Sequence, residues 1–293
     1  MMKVTGFTFI RNAVINDYPI VESIKSILPI CDEFIIAYGN SSDETLLLLK
    51  GIDSPKIKII DTIWDENQRE GGRTFALETD KAFKAISKDT DWAFYIQGDE
   101  VVHEKYLPTI RKEMELCLAN KDIEGLLFKY IHFYGSYDYY AVSRRWYRRE
   151  IRIVRNLKEI SSYRDAQGFR LNNRKIKVKE IDAYIYHYGW VKPPHELNSK
   201  VRNFNKFYHE DEWIETNVPK AQNFDYGNAD ELRKFTLAHP TTIQQRIINT
   251  NWEFLVDPTS VKKKLSLRRR ILKKIEDKTG IRLFEYKNYN KIN

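Results

Sequence analysis

The chain has 293 residues, 42% of them hydrophobic and 13% aromatic, which supplies the core of one large α/β domain and excludes wholesale disorder. Its net charge of +8 is concentrated at one end. Residues 259–293 hold twelve Lys/Arg against three Asp/Glu, and the other 258 residues hold 37 basic against 38 acidic groups, which argues against a nucleic-acid-binding face on the body.

Val4–Ile10, rich in β-branched and aromatic residues, reads as a first strand. Asp17-Tyr18-Pro19 then offers a helix start, followed by Ile20, Ile24, Ile27 and Leu28 at helical spacing. Glu33–Tyr38 reads as a second strand, Ser41–Lys50 as a helix, Lys56–Asp61 as a third strand and Thr74–Ser87 as a helix. Trp92–Gln97 reads as a buried strand and Lys105–Leu118 as a helix, with Pro108 tolerated in its first turn. This β-α-β-α-β-α-β rhythm predicts a mostly parallel twisted sheet with helices on both faces. Longer strands follow at Gly125–Tyr134, Tyr147–Val154 and Ile181–Tyr188, with a polar connection over Ser161–Lys179. From His195 the pattern turns helical, Thr216–Lys234 reads as loop, and Ile243–Phe254 as a short helix before the basic tail. The domain reading is residues 1–215 as the ligand-binding domain and 216–293 as a helical, basic extension.

No apolar run reaches the roughly 18 residues of a membrane span, and Arg11 interrupts the N-terminal stretch before signal-peptide length. Cys31 and Cys117 lack CxxC spacing, so neither a zinc site nor a disulfide framework is expected. The expected location is the cytoplasm.

In an open α/β sheet the ligand lies beyond the carboxyl ends of the parallel strands. The first strand ends in Phe9-Ile10-Arg11-Asn12, the second in Tyr38-Gly39-Asn40-Ser41-Ser42-Asp43, and the fourth in Gln97-Gly98-Asp99-Glu100. None is followed by GxGxxG or a P-loop, so dinucleotide and ATPase readings lose their motif. Small polar residues after the second strand and carboxylates after the fourth suit a nucleotide whose diphosphate reaches a metal near Asp99.

At these residues the chain resembles the family-2 glycosyltransferases, inverting enzymes of the GT-A fold. The family's V-V-D-D-G-S-T-D-G-T segment is matched by Ile36–Thr45, with Ser41, Asp43 and Thr45 in register and Tyr38 and Gly39 in place of the paired acids. Its L-D-A-D-E signature corresponds to Ile96-Gln97-Gly98-Asp99-Glu100, with Gln97 in place of the first Asp and Asp99 retained. The resemblance covers roughly the first 210 residues. It implies a GT-A-like α/β fold and a nucleotide-diphosphate sugar donor, UDP-linked in preference. It further implies a Mn2+ or Mg2+ cofactor and a glycan or lipid-linked acceptor.

Asp99 is the candidate metal ligand, because hard cations take carboxylate oxygens and stabilise a diphosphate leaving group. Its alternative is a plain acidic turn. His187, in Tyr186-His187-Tyr188, is the candidate second ligand or a satisfied histidine in an aromatic cluster. Phe9, Arg11, Asn12, Asn40, Ser41, Asp43 and Gln97 are the strand-end candidates for donor binding. Arg73, opening a helix after Gly71-Gly72, and Lys192, just beyond His187, join them, with solvation as their bland reading. Asp165, in a Gly-bearing loop, is the candidate base for the acceptor hydroxyl, ahead of Asp138 and Glu159; an Asp paired to Arg164 is the structural alternative. His195 reads as lining a helix start. Val261–Ile275 holds eight basic residues and no acid, which suits an anionic membrane leaflet, a helix packed on the domain, or a nucleic-acid tail. A nucleotidyltransferase and an inactive nucleotide-sugar-binding protein are the rival functions.

Overall fold

The computed structural model describes all residues except 66–67, 69–70, 219–230, 255–265 and 293, together with the side chains of all described residues but Pro194 and His195. Alternation along β1 (Val4–Ile10) sends Val4 and Ile10 to one face of the sheet and Phe7 and Phe9 to the other. The apolar stripe of α1 (Ile20–Ile27) then covers the first face through Ile20, Ile24 and Ile27. β2 (Glu33–Gly39) follows, with a short α2 (Thr45–Lys50) and β3 (Ile57–Thr62). α3 (Arg73–Lys84) lies on the opposite face, burying Ala82 and Phe83 against Phe7, Ile35 and Tyr95. β4 (Trp92–Tyr95) completes a parallel set in the order β3-β2-β1-β4.

β5 (Glu100–Val102) is a three-residue strand that sequence periodicity does not reveal, since it is shorter than one pleat repeat on each face. α4 (Leu107–Leu118) returns to the α1 face through Ile110 and Met114. β6 (Gly125–Tyr134), β7 (Ser136–Ala141) and β8 (Arg149–Arg155) extend the sheet antiparallel, β8 pairing with both β4 and β6. The polar connection folds into a separate small sheet of β9 (Ile160–Tyr163), β10 (Gly168–Leu171) and β11 (Arg174–Lys175). The long β12 (Lys177–Trp190) runs parallel to β6 and antiparallel to β5.

α5 (Pro194–Asn205) and α6 (Asp211–Asn217) follow, α5 placing His195 in its first turn. Beyond residue 216 the chain supplies strands as well as helices. β13 (Leu232–Lys234) pairs with β7. α7 (Gln244–Ile248) and α8 (Leu267–Thr279) precede β14 (Asn290–Ile292), which pairs with β12. The α/β class is therefore the expected one, with a parallel core, helices on both faces and a mixed second half. Cys31 and Cys117 are free and buried. Among the described residues no helix is long and apolar enough to cross a membrane.

Several boundaries differ from the sequence expectation for local reasons. The helix expected from Ser41 begins only at Thr45, because Asp43 accepts the Thr45 amide at 3.1 Å and holds residues 41–44 as a loop. The fourth strand stops at Tyr95 because Gln97-Gly98 turns the chain into β5. The aromatic segment around Asp138 is β7, a strand not read from the sequence.

Candidate active site

The antiparallel pairing of β5 with β12 builds the site. His187 lies opposite Glu100 on β5 and beside His132 on β6, and the Tyr188 amide donates to the Asp99 carbonyl at 2.8 Å. Asp99 therefore sits where β4 hands the chain to β5, its Oδ2 3.6 Å from His187 Nε2 and 3.2 Å from Lys200 Nζ. Only 13% of the Asp99 side chain is exposed. Burial opposes its charge, but Lys200, then His187 and Lys192, hold its carboxyl far below the usual carboxylate range. Gly189 is required here. A β-carbon at that position would lie 2.5 Å from Asp99 Oδ2 and 2.8 Å from His187 Nε2, in the space those two side chains face.

A second histidine sets the orientation of the first. His132 Nε2 lies 2.8 Å from the Tyr147 carbonyl, an acceptor, so Nε2 carries the proton. Burial, then the neighbouring His187, pushes the His132 pKa well down, so its Nδ1 keeps a lone pair. His187 Nδ1, 3.2 Å away, donates to it, which leaves His187 Nε2 to face Asp99. Two potential ligand atoms 3.6 Å apart on a glycine-cleared face suit one hard divalent cation, which would share Asp99 Oδ2 with the Lys200 ammonium. Among the described residues no group of three or more His, Cys, Asp or Glu gathers in this way.

Cations also gather around this carboxylate. Lys192 is buried; its ammonium donates to the Asp17 carbonyl and lies 4.9 Å from the Tyr18 ring centre. Burial, then repulsion from Lys200, lowers its pKa to about 7. Lys200 also donates to the Gly189 carbonyl at 2.7 Å, and Arg246 on α7 pairs with Asp17. Beneath Asp99, the fully buried Glu100 takes a two-pronged bond from Arg152 at 2.7 and 2.8 Å and a third from the Tyr130 hydroxyl at 2.8 Å.

The strand-end polar residues of the first half behave differently. The Asn12 amide donates to Ser41 Oγ, its side-chain carbonyl accepts the Ser42 amide, and Asp43 accepts the Ile15 and Thr45 amides. These side chains fasten the β1–α1 loop to the β2–α2 loop. Asn40 accepts the Trp64 amide at 3.4 Å. Phe9 packs on Trp64 and Phe75, Arg11 lies 5.7 Å from the Trp64 ring centre, and Phe204 and Phe207 of the α5 region close the aromatic cluster. The buried Trp64 indole N–H has no acceptor among the described residues. Arg73 is exposed at the first turn of α3.

Asp165 stands at the left-handed Gly72 (φ 69°) that caps α3, accepting from Tyr208 at 2.9 Å and Gln167 at 3.0 Å. Its neighbours Arg164 and Ala166 both have positive φ, an uncommon and strained arrangement for residues with side chains. Gln97 reaches the same loop, its amide 3.4 Å from the Ala166 carbonyl. Asp138 and Glu159 are both exposed, on β7 and in the β8–β9 turn.

Thus Asp99, His187 and Lys192 converge, Gln97 touches the loop that carries Asp165, and Phe9 and Arg11 line the aromatic cluster. Lys200, His132, Arg152, Tyr18 and Arg246 were missed. None stands in a motif, and each reaches the site through a long-range pairing. The nearest sequence signal was the period-2 alternation that places His132 on a buried face of its strand.

No family model and no curated protein matches the chain. Among solved structures it is similar to TarS of S. aureus, at 15% identity over 69% of this chain and 39% of that one, with a TM-score of 0.38. It is also similar to glucosyl-3-phosphoglycerate synthase from Mycobacterium tuberculosis, solved with Mn2+, UDP and phosphoglyceric acid, at 19% identity over 45% and 43%, with a TM-score of 0.29. A third is 4-diphosphocytidyl-2C-methyl-D-erythritol synthase from Anaerococcus prevotii, at 12% identity over 70% and 96%, with a TM-score of 0.40. The chain spans less than half the length of the first two.

Proposed function

We propose that the protein transfers a sugar from a nucleoside-diphosphate donor, UDP-linked in preference, to a hydroxyl of a glycan or lipid-linked acceptor, with inversion. The observation that carries this reading is the convergence of Asp99, His187, Lys192 and Lys200 at the carboxyl end of β4, next to the aromatic cluster of Phe9, Trp64 and Phe75. The aromatic side suits a nucleoside, and the charged side suits its diphosphate. Asp99 and His187 would hold Mn2+ or Mg2+, which when bound neutralises charge developing on the diphosphate oxygens. Lys200, on the same Asp99 oxygen, and the nearby Lys192 add positive charge beside it.

Asp165 is the assigned base for the acceptor hydroxyl. Tyr208 and Gln167 orient its carboxylate, and Gln97 ties its loop to the end of β4. Asn12, Ser41 and Asp43 serve the donor by holding the two loops beneath it, with Asn40 and Arg73 at the rim. A nucleotidyltransferase would draw its phosphate contacts from the loop after β1. Here the cations arrive from β12 and α5, and Arg11 lies over Trp64.

The test is calorimetric titration of the full chain with UDP, with and without Mn2+ or Mg2+, followed by assay of UDP-sugar hydrolysis. Expected are metal-dependent binding that Asp99→Asn abolishes, and transfer that Asp165→Asn removes while UDP binding survives. Failure of UDP and the other nucleoside diphosphates to bind at millimolar concentration with either metal overturns the reading. Near-normal turnover in Asp165→Asn moves the base elsewhere.

A further inference from the structure

The C-terminal helix α8 is clamped to the domain by one face only. Glu276 takes Arg144 at 2.6 Å and Arg282 at 2.7 Å, and Lys273 reaches Glu231 at 2.7 Å. Arg282 also donates to the Trp146 carbonyl at 2.7 Å, and Arg148 binds Glu285 at 2.8 Å. At about 100° per residue, Lys273 and Glu276 mark the inner side. Leu267, Ile271, Lys274 and Lys278 then fall along the opposite line, flanked by Arg270 and Arg268.

That outer line is the wrong composition for a merely solvated face. Leu267 is 73% and Ile271 51% exposed. After the left-handed Gly280 that ends the helix, the chain doubles back and presents Phe284, 82% exposed, with the Arg268 guanidinium 5.9 Å from its ring centre. Aliphatic and aromatic side chains thus stand outward among Arg268, Arg270, Lys274 and Lys278, on a helix whose Glu276 is turned inward and whose exposed Asp277 lies toward the Lys273 side. A nucleic-acid backbone would use the cations and leave Leu267, Ile271 and Phe284 in water. An anionic bilayer uses both, because apolar side chains enter the acyl boundary while Lys and Arg stay at the headgroups.

We infer that the outer face of α8, with Phe284, is a docking surface for an anionic lipid bilayer, held rigidly to the domain by the Glu276–Arg144–Arg282 clamp. The inference is independent of the transferase reading, and its test needs no sugar nucleotide.

The full chain is floated with vesicles of phosphatidylcholine containing 30% phosphatidylglycerol, and with phosphatidylcholine alone. Wild type is expected to partition onto the anionic vesicles only, and less so as salt rises. Each cation near the surface contributes about fivefold, so Arg270→Ala/Lys274→Ala/Lys278→Ala should lower partitioning on the order of a hundredfold. Ile271→Ser/Phe284→Ser should lower it by about tenfold at unchanged charge. All substituted positions are solvent-facing, and an unchanged thermal transition confirms that each variant is folded. Three results overturn the proposal: absence of wild-type binding, retention of binding in the charge variant, or retention in the apolar variant. The last, with duplex RNA binding as tightly as vesicles, would make the surface a nucleic-acid face.

Discussion

The two halves of the sheet use polar residues in opposite ways. In the parallel half, the residues after β1 and β2 spend their hydrogen bonds on one another, so Asn12, Ser41, Asp43 and Thr45 form a fastening between adjacent loops. In the mixed half, polar groups far apart in the chain are drawn to one carboxylate. Asp99 meets His187 across 88 residues and Lys200 across 101, and His132 stands behind His187. A short strand-end motif therefore makes a platform, whereas reactive convergence requires strand pairing between distant segments.

The largest test of this contrast lies beneath Asp99. Arg152→Met leaves Glu100 charged and buried without its partner, and about 3–5 kcal/mol of stability should be lost in urea unfolding. Arg152→Met with Glu100→Leu should recover most of it, because the uncompensated charge is gone. A single-variant loss below about 1 kcal/mol would mean that the mixed half does not depend on this pair.

His132→Phe keeps the ring but removes the acceptor for His187 Nδ1. Mn2+-dependent UDP affinity should fall about 10- to 100-fold, the usual cost of losing a partner behind a metal ligand, while UDP binding without metal stays unchanged. Equal losses with and without Mn2+ would show that His132 matters only for packing.

Asp43→Ala should cost about 1–2 kcal/mol of stability, because it strips the Ile15 and Thr45 amides of their acceptor. Burial opposes the charge of Asp43, but the Thr45 hydroxyl and the amides outweigh it and depress its pKa. This stabilisation is therefore present above the unfolded carboxyl range and fades as pH falls through the folded value. UDP affinity should change by less than about threefold. A larger drop would make Asp43 a donor contact and erase the contrast between the halves.

The smallest expected effect concerns Lys192. With its pKa lowered to about 7, the free protein loses this ammonium as pH rises above neutrality. A bound diphosphate favours the charged form, so binding takes up a proton above pH 7. UDP affinity should thus weaken from pH 7 to 9, by less than tenfold per unit. Calorimetry in buffers of different ionisation enthalpy measures the uptake, and Lys192→Met should abolish it. The same slope in that variant would assign the proton to another group.

How much was readable follows from the distance over which each feature is encoded. The strands Val4–Ile10 and Gly125–Tyr134 were read to the residue, because each is a run of apolar and aromatic residues that is buried almost throughout. Asp99 and His187 stood out because Asp99 follows a strongly apolar strand and His187 lies in an aromatic stretch of another. Lys200 did not, since a lysine on an amphipathic helix carries no local mark of the carboxylate it will meet. The basic tail misled in part. Its charge was plain, but β14 after it is a sheet strand, held by pairing with a segment more than a hundred residues earlier.

By itself the sequence determined the α/β class, the order of the parallel strands and their helices, and the candidates Asp99, His187, Lys192 and Asp165. These rest on periodicity, turn chemistry and residue type, which are local properties. Only the tertiary structure decided which polar groups meet. The β5–β12 register sets His187 against Asp99, β6 sets His132 behind it, and α5 delivers Lys200. Such pairings depend on the summed burial of whole strands, and a one-residue slip would turn every one of these side chains to the other face.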